Sequence, residues 1–274
     1  MSTPQATERP QPLPANLLFE LVIRGATPLL LALDYDGTLS PIVPDPASAV
    51  PAHGAKEVLK QLASHPELVR VAIVSGRDID QLCAFLDETS GVALIGVHGL
   101  EMMEPSGARR IVGQLGEDAL KALEKVRQWL ADNVPPNAGF LVEEKRFSIA
   151  LHYRNAQKDQ VKPIVQALED FIRQNTPELR AGHGKMVIEA LPKGASKGCA
   201  IRLLESYFKD TKTTVYFGDD ITDEDAFYEL RSRGVTVKVG DDSPSWAKYR
   251  VESPAQVVQT LNLLADAIKR QKST

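Results

Sequence analysis

Cysteine is scarce in this chain of 274 residues: Cys83 and Cys199 are the two present, far apart and without the short spacings of metal-binding pairs. A disulfide framework is thereby excluded, and a reducing compartment, the cytoplasm, is the expectation. Long apolar runs are missing too. No stretch approaches the roughly 20 residues a membrane span needs, and the N-terminal MSTPQATERPQPLP has no apolar segment of signal-peptide length. We therefore expect no membrane association, and read residues 1–14 as a flexible tail. Positive charge is not in excess: the formal net charge is −4 and no cluster of Lys and Arg stands out. A nucleic-acid partner is unexpected on that ground, since the phosphate backbone demands a basic face. Internal repeats and low-complexity segments are absent. So is a Walker loop, because the stretch from Gly194 to Gly198 runs into Cys199 rather than into Lys and Ser or Thr.

What is present centres on LLLALDYDGTLSP, residues 29–41. Leu29 to Leu33 is too short and too uniformly apolar for a surface helix and reads as a buried strand of a parallel sheet. Gly37 breaks it just after Asp34 and Asp36. Ligands of open parallel sheets bind beyond the carboxyl ends of the strands, so the two carboxylates belong at a cleft. Side by side they repel each other, and a bound Mg²⁺ is the simplest resolution. A calcium loop of the EF-hand type does not fit, because Gly37 falls at the fourth position and Asp45 at the twelfth, where that loop needs Gly at the sixth and Glu at the twelfth.

Strand and helix then alternate. Ala55, Val58, Leu59 and Leu62 form a helical stripe. Val69 to Val74 is a strand ending in Ser75, Gly76 and Arg77; Ile79, Leu82 and Leu86 mark a helix, and Val92 to Ile95 another strand. Near Glu104 the rhythm changes to two helices, around 120–130 and 161–172, with strands at 140–142, 147–153 and 185–190. Alternation resumes at Leu191, with a helix capped by Ser196, a strand from Thr213 to Phe217 ending in GDDITDED, a strand from Val235 to Val239, and a last helix opened by Ser253 and Pro254. Thr222 and Asp225 have the spacing of a capping box. The pattern predicts an α/β fold, a doubly wound parallel-sheet core with an inserted α+β cap domain: core at 15–105 and 191–274, cap at 106–190.

Three strands end in chemistry: Asp34 and Asp36, then Ser75, then Asp219, Asp220 and Asp223, with Lys197 opening the helix between the last two. A carboxylate nucleophile, a carboxylate-held metal, a hydroxyl and an ammonium make a phosphoryl-transfer site, where positioning and charge neutralisation do most of the catalysis.

The motifs DYDGT (34–38), SGR (75–77), SKG (196–198) and GDDITDE (218–224), in that order, resemble the four motifs of the haloacid dehalogenase superfamily phosphatases. VEEKRFSIALHYR (142–154) and GKMVIEALPKGASKG (184–198) narrow the resemblance to the trehalose-6-phosphate phosphatases. That resemblance implies that Asp34 attacks phosphorus and becomes an aspartyl phosphate, and that Asp36 serves as general acid and base. It implies Mg²⁺ held by Asp34, the main-chain carbonyl of Asp36, and Asp219, with Asp220 and Asp223 behind them. Ser75 and Lys197 would bind phosphoryl oxygens. Arg77 is counted with the substrate-binding residues, together with Glu143, Lys145, Lys185 and Glu189 of the cap. The implied reaction is Mg²⁺-dependent release of phosphate from trehalose 6-phosphate; a monomer is our own expectation. Alternatives are another phosphosugar or a non-catalytic, metal-binding regulator of the same fold.

Overall fold

A computed structural model describes residues 3–86, 91–112 and 117–272. In chain order its elements are β1 (Gln11–Pro12), α1 (Leu17–Ile23), β2 (Leu29–Leu33), α2 (Ala55–Ala63), β3 (Val69–Val74), α3 (Ile79–Leu86), β4 (Val92–Gly96), β5 (Glu101–Met103) and β6 (Arg109–Ile111). Next come α4 (Glu117–Asn133), β7 (Leu141–Glu144), β8 (Ile149–His152), α5 (Lys158–Asn175), β9 (Leu179–Gly184) and β10 (Val187–Pro192). Last are α6 (Lys197–Tyr207), β11 (Thr213–Gly218), α7 (Glu224–Leu230), β12 (Val235–Val239), β13 (Tyr249–Val251) and α8 (Pro254–Lys272). They form two compact units, Met1–Ile111 with Ser196–Thr274, and Val112–Ala195.

The first unit carries one sheet in the order β1-β13-β12-β11-β2-β3-β4-β5-β6, parallel from β1 to β4 and antiparallel from β4 to β6. All five residues of β2 are buried, which is why the run is apolar without alternation: both faces are covered. Leu29, Leu31 and Leu33 pack in one cluster with Leu18, Leu59, Leu62, Leu82 and Leu261, while Leu30 and Ala32 are buried on the other side. From β2 the chain winds out through β3 and β4 in one direction and through β11, β12 and β13 in the other. The order therefore reverses beside β2, which brings the carboxyl ends of β11, β2 and β3 together at the switch point where such sheets bind ligands. The doubly wound class expected from the sequence is the one observed.

Residues 3–13 are not a loose tail. The backbone N–H groups of Gln11 and Leu13 donate to Lys248 and Arg250 carbonyls at 3.0 and 2.9 Å, forming a parallel edge strand. Pro10, Pro12 and Pro14 fall at the alternate positions, where an N–H would face outward, so the proline pattern permits the pairing and stops it extending further. Trp246 Nε1 donates to the Pro4 carbonyl at 2.7 Å, Ser245 N to Glu8 O at 2.9 Å, and Arg9 meets Asp242 at 2.7 Å. Met1 and Ser2 lie outside the described residues. Removing residues 1–13 is expected to destabilise the protein by about 2 kcal/mol, a few net hydrogen bonds' worth. A urea midpoint identical to that of the full chain would show that the arm is not docked.

The strands β5 and β6 were not read from the sequence, and they carry the chain along the sheet edge to Ile111, so the inserted unit begins there rather than at 106. In the second unit a four-stranded antiparallel sheet, β7-β8-β10-β9, packs through Ile149, Leu151, Ile188 and Ala190 against Leu123, Val126, Leu168 and Ile172 of α4 and α5. The expected strand at 185–190 is instead a hairpin of β9 and β10, with Gly184 opposite Val187 and Lys185–Met186 as the two-residue turn. Gly182 and Gly184 gave β9 the composition of a loop. Lys185 is therefore in a turn, and strand alternation places no side chain for it.

Candidate active site

The chain leaves β2 in a tight turn in which Tyr35 O accepts the Leu39 and Ser40 N–H groups at 2.9 Å and Gly37 N donates to Ser40 O at 2.7 Å. Tyr35 OH anchors the loop on the Ala49 carbonyl at 2.9 Å. Gly37 has φ +81°, and a Cβ there would lie 2.1 Å from Asp219 Oδ2. Glycine is thus required twice over, by conformation and by the close approach of the two strand-end loops. Asp34, tied to β11 by its N–H to Phe217 O at 2.9 Å, is buried.

Lys197 opens α6, whose N-cap Ser196 accepts the Cys199 N–H at 3.1 Å. Its ammonium, 2% exposed, meets Asp34 Oδ2 at 3.0 Å and Asp223 Oδ1 at 2.8 Å. Asp223 is fully buried and surrounded by donors: Tyr216 OH at 2.5 Å on Oδ1, and the N–H groups of Asp219 and Asp220 at 3.0 and 2.9 Å on Oδ2. The capping box lies between Asp220 and Asp223, not between Thr222 and Asp225, because the turn starts two residues earlier than the spacing suggested. Of the two aspartates expected behind the metal, Asp223 is the one that grips the lysine.

Burial drives the Asp34 carboxyl well above the usual range; Lys197 opposes this, and the charges of Asp223, Asp219 and Asp36 add to it. Burial alone would lower Lys197, but Asp223 and Asp34 outweigh it and keep the ammonium charged. Lys197 sets one positive charge against three carboxylates. Among the described residues, Asp34, Asp219 and Asp223 can each bring one oxygen within 4.8 Å of the others. Such a hard, anionic oxygen set suits Mg²⁺. Since Asp223 already serves four donors, Asp34 and Asp219 are the better-placed pair of ligands.

On the other side of β2, Ser75 follows β3, buried, with its hydroxyl accepting the Arg77 N–H at 3.2 Å. Arg77 forks onto Asp36, Nε to Oδ2 at 2.6 Å and Nη2 to Oδ1 at 2.7 Å. Its guanidinium lies over the rings of Phe85 and Tyr35, 4.8 and 5.5 Å from their centroids. The residue counted with the substrate contacts is thus placed on Asp36. The turn after β4 is bonded to the same loop. Val97 and His98 both have positive φ there, 46° and 53°, and their N–H groups bind Arg77 O and Ser75 O at 2.9 and 3.0 Å. A left-handed valine is strained, and strain of this kind collects beside functional sites.

In the second unit Glu143, Lys145 and Glu189 come together. Lys145 Nζ lies 3.0 Å from Glu189 Oε1 and 3.9 Å from Glu143 Oε2. Two further residues, Ser148 and His152, join them. Ser148 Oγ donates to Glu189 Oε1 at 2.5 Å, and His152 Nε2 is 2.8 Å from Glu143 Oε2.

The reversal of strand order, the insertion and the acidic cluster at the adjacent ends of β2 and β11 define a haloacid dehalogenase-type α/β protein. The family model of trehalose-phosphatase matches residues 32–255, and the chain belongs to that family. It is 35% identical over 244 residues to the trehalose-phosphate phosphatase of Mycobacterium marinum, covering 86% of this chain and 61% of that one. With trehalose-phosphate phosphatase B of Arabidopsis thaliana it shares 30% over 268 residues, 91% of this chain and 70% of that protein. The chain thus spans about three fifths of the length of its mycobacterial relative. Among solved structures, the C-terminal domain of C. albicans trehalose-6-phosphate phosphatase is similar with a TM-score of 0.81 at 26% identity, covering 95% of this chain and 99% of that one.

Proposed function

We propose that this protein is a Mg²⁺-dependent phosphatase that releases inorganic phosphate from trehalose 6-phosphate through an aspartyl phosphate on Asp34. The observation that carries the reading is the buried line Asp34, Lys197, Asp223, with Asp219 beside it and Asp36 held next to it by Arg77. Asp34, Asp219 and the main-chain carbonyl of Asp36 would hold the ion, which when bound would neutralise phosphoryl charge. One carboxylate oxygen of Asp34 attacks phosphorus; the bond from phosphorus to the sugar oxygen breaks, and Asp36 delivers a proton to that oxygen. Water then attacks the same phosphorus, Asp36 takes its proton, and the Asp34 carboxylate is regenerated with phosphate as the second product. Lys197 and the Ser75 hydroxyl meet the phosphoryl oxygens as charge builds on them. The fork from Arg77 engages both oxygens of Asp36 and fixes the plane of the carboxylate, so one arm of the fork has to open for each proton transfer.

In the cap, Glu143, Lys145 and Glu189 present the acceptors and donor that sugar hydroxyls require, with Lys185 at the hairpin tip as a further donor. A panel of sugar phosphates assayed for phosphate release, with Mg²⁺ and with EDTA, tests the whole reading. Preference for trehalose 6-phosphate, abolished by EDTA and restored by Mg²⁺, is expected. A faster release from another member would move the assignment to that phosphosugar, equal rates across the panel would reject specificity for trehalose 6-phosphate, and no release from any member would leave a binding or regulatory role.

A further inference from the structure

The register of the cap sheet puts Glu143, Ala150 and Glu189 in one row across β7, β8 and β10, with Leu141, His152 and Val187 in the next. Because Ile149, Leu151, Ile188 and Ala190 face the helices, alternation turns these two rows to the opposite face. The two carboxylates stand two strand spacings apart, about 10 Å between backbones, over an alanine floor, and converge on the Lys145 ammonium. A glutamate side chain has three free torsions, so it recognises a hydroxyl well only when something holds it in place. Each is held separately. The Ser148 hydroxyl donates to Glu189 Oε1, and the Ser148 carbonyl accepts the Lys145 N–H at 3.0 Å, so this one residue sets both the acid and the base that meets it. Ser148 itself has no exposed surface, which excludes direct contact with a ligand. His152 Nε2 is within hydrogen-bond distance of Glu143 Oε2, the oxygen that faces Lys145.

We propose that Ser148 and His152 are positioning residues for sugar specificity: they fix Glu189 and Glu143 in the geometry that recognises a sugar, without touching the sugar through Ser148 and without any part in the phosphoryl chemistry. The inference rests on the reading of the cap face as the sugar-recognition surface. It predicts a split between sugar-dependent and phosphate-dependent parameters that a general weakening of the fold would not produce.

The test uses the full chain with the variants Ser148→Ala, Ser148→Thr, His152→Phe and His152→Gln, and with Glu143→Gln, Glu189→Gln and the double variant Ser148→Ala/Glu189→Gln as references. For each, kcat and KM for trehalose 6-phosphate are measured, with inhibition constants for trehalose and for inorganic phosphate and a thermal midpoint. Ser148→Ala and His152→Phe are expected to raise KM and the trehalose inhibition constant about tenfold, the effect of losing a hydrogen bond to a charged group. The phosphate inhibition constant is expected to stay within about twofold. Ser148→Thr and His152→Gln, which keep a donor, recover most of the loss. Adding Ser148→Ala to Glu189→Gln costs little beyond Glu189→Gln alone, because the serine acts through that carboxylate. Unchanged sugar parameters in Ser148→Ala and His152→Phe overturn the proposal, as does a loss shared equally by phosphate inhibition, kcat and the thermal midpoint. If Glu189→Gln and Glu143→Gln themselves leave the sugar parameters unaltered, the cap reading fails first, and this inference falls with it.

Discussion

Asparagine in place of Asp34 is expected to remove phosphatase activity, on the order of 10⁴-fold or more, because no other group can form the covalent bond to phosphorus at that point. The fold should survive the change. Asp34 is buried among Asp223, Asp219 and Asp36, and its carboxyl is driven upward by burial first and by those charges next, with Lys197 in opposition. An amide of the same shape keeps an oxygen for the lysine and removes one of the repelling charges. The thermal midpoint of the metal-free variant is therefore expected within about 3 °C of the parent, less than 1–2 kcal/mol for a chain of this size. Activity assays and thermal denaturation on the same preparation check both halves. Turnover at the parental rate would exclude Asp34 as the nucleophile, whereas loss of activity with collapse of the fold would leave its chemical role unproved.

Methionine in place of Lys197 is expected to fail in the other direction, losing stability and activity together. The ammonium lies between Asp34 and Asp223, both of them buried, at 3.0 and 2.8 Å. Without it two buried carboxylates face each other, and breaking a buried bridge from one side costs about 3–5 kcal/mol. Activity should fall about 10³-fold from the lost stabilisation of phosphoryl charge. The double variant Lys197→Met/Asp223→Asn separates the two effects: removal of the orphaned charge restores part of the stability and none of the activity. Urea denaturation of the single and double variants, with kinetics on each, measures this. A Lys197→Met protein as stable as the parent would contradict the buried bridge.

The contrast between these variants shows which parts of the site could be read in advance. Asp34, Ser75 and Asp219 are legible because each follows a short, largely buried strand, and such strands declare where their carboxyl ends lie. Arg77 is not. Its fork onto Asp36 depends on the Tyr35 and Phe85 rings beneath the guanidinium, and Phe85 lies in a helix that only folding brings there. The same limit applies to the pairings of Ser148 and His152, whose partners are 41 and 9 residues away and are fixed by strand register. The N-terminal arm misled for a related reason. A polar, proline-rich segment has too little apolar surface to announce a docking place, and its hydrogen bonds exist only because β13 offers an open edge.

By itself the sequence determined the apolar strands, the glycine turns that end them and therefore the acidic residues at the mouth of the sheet, since these follow from local patterns of burial and backbone freedom. The pairing of those residues was decided by tertiary structure: Lys197 with Asp34 and Asp223, Arg77 with Asp36, Ser148 with Glu189. A hydrogen bond between residues distant in the chain depends on strand order and register, and these are settled by how whole faces pack rather than by any stretch read alone.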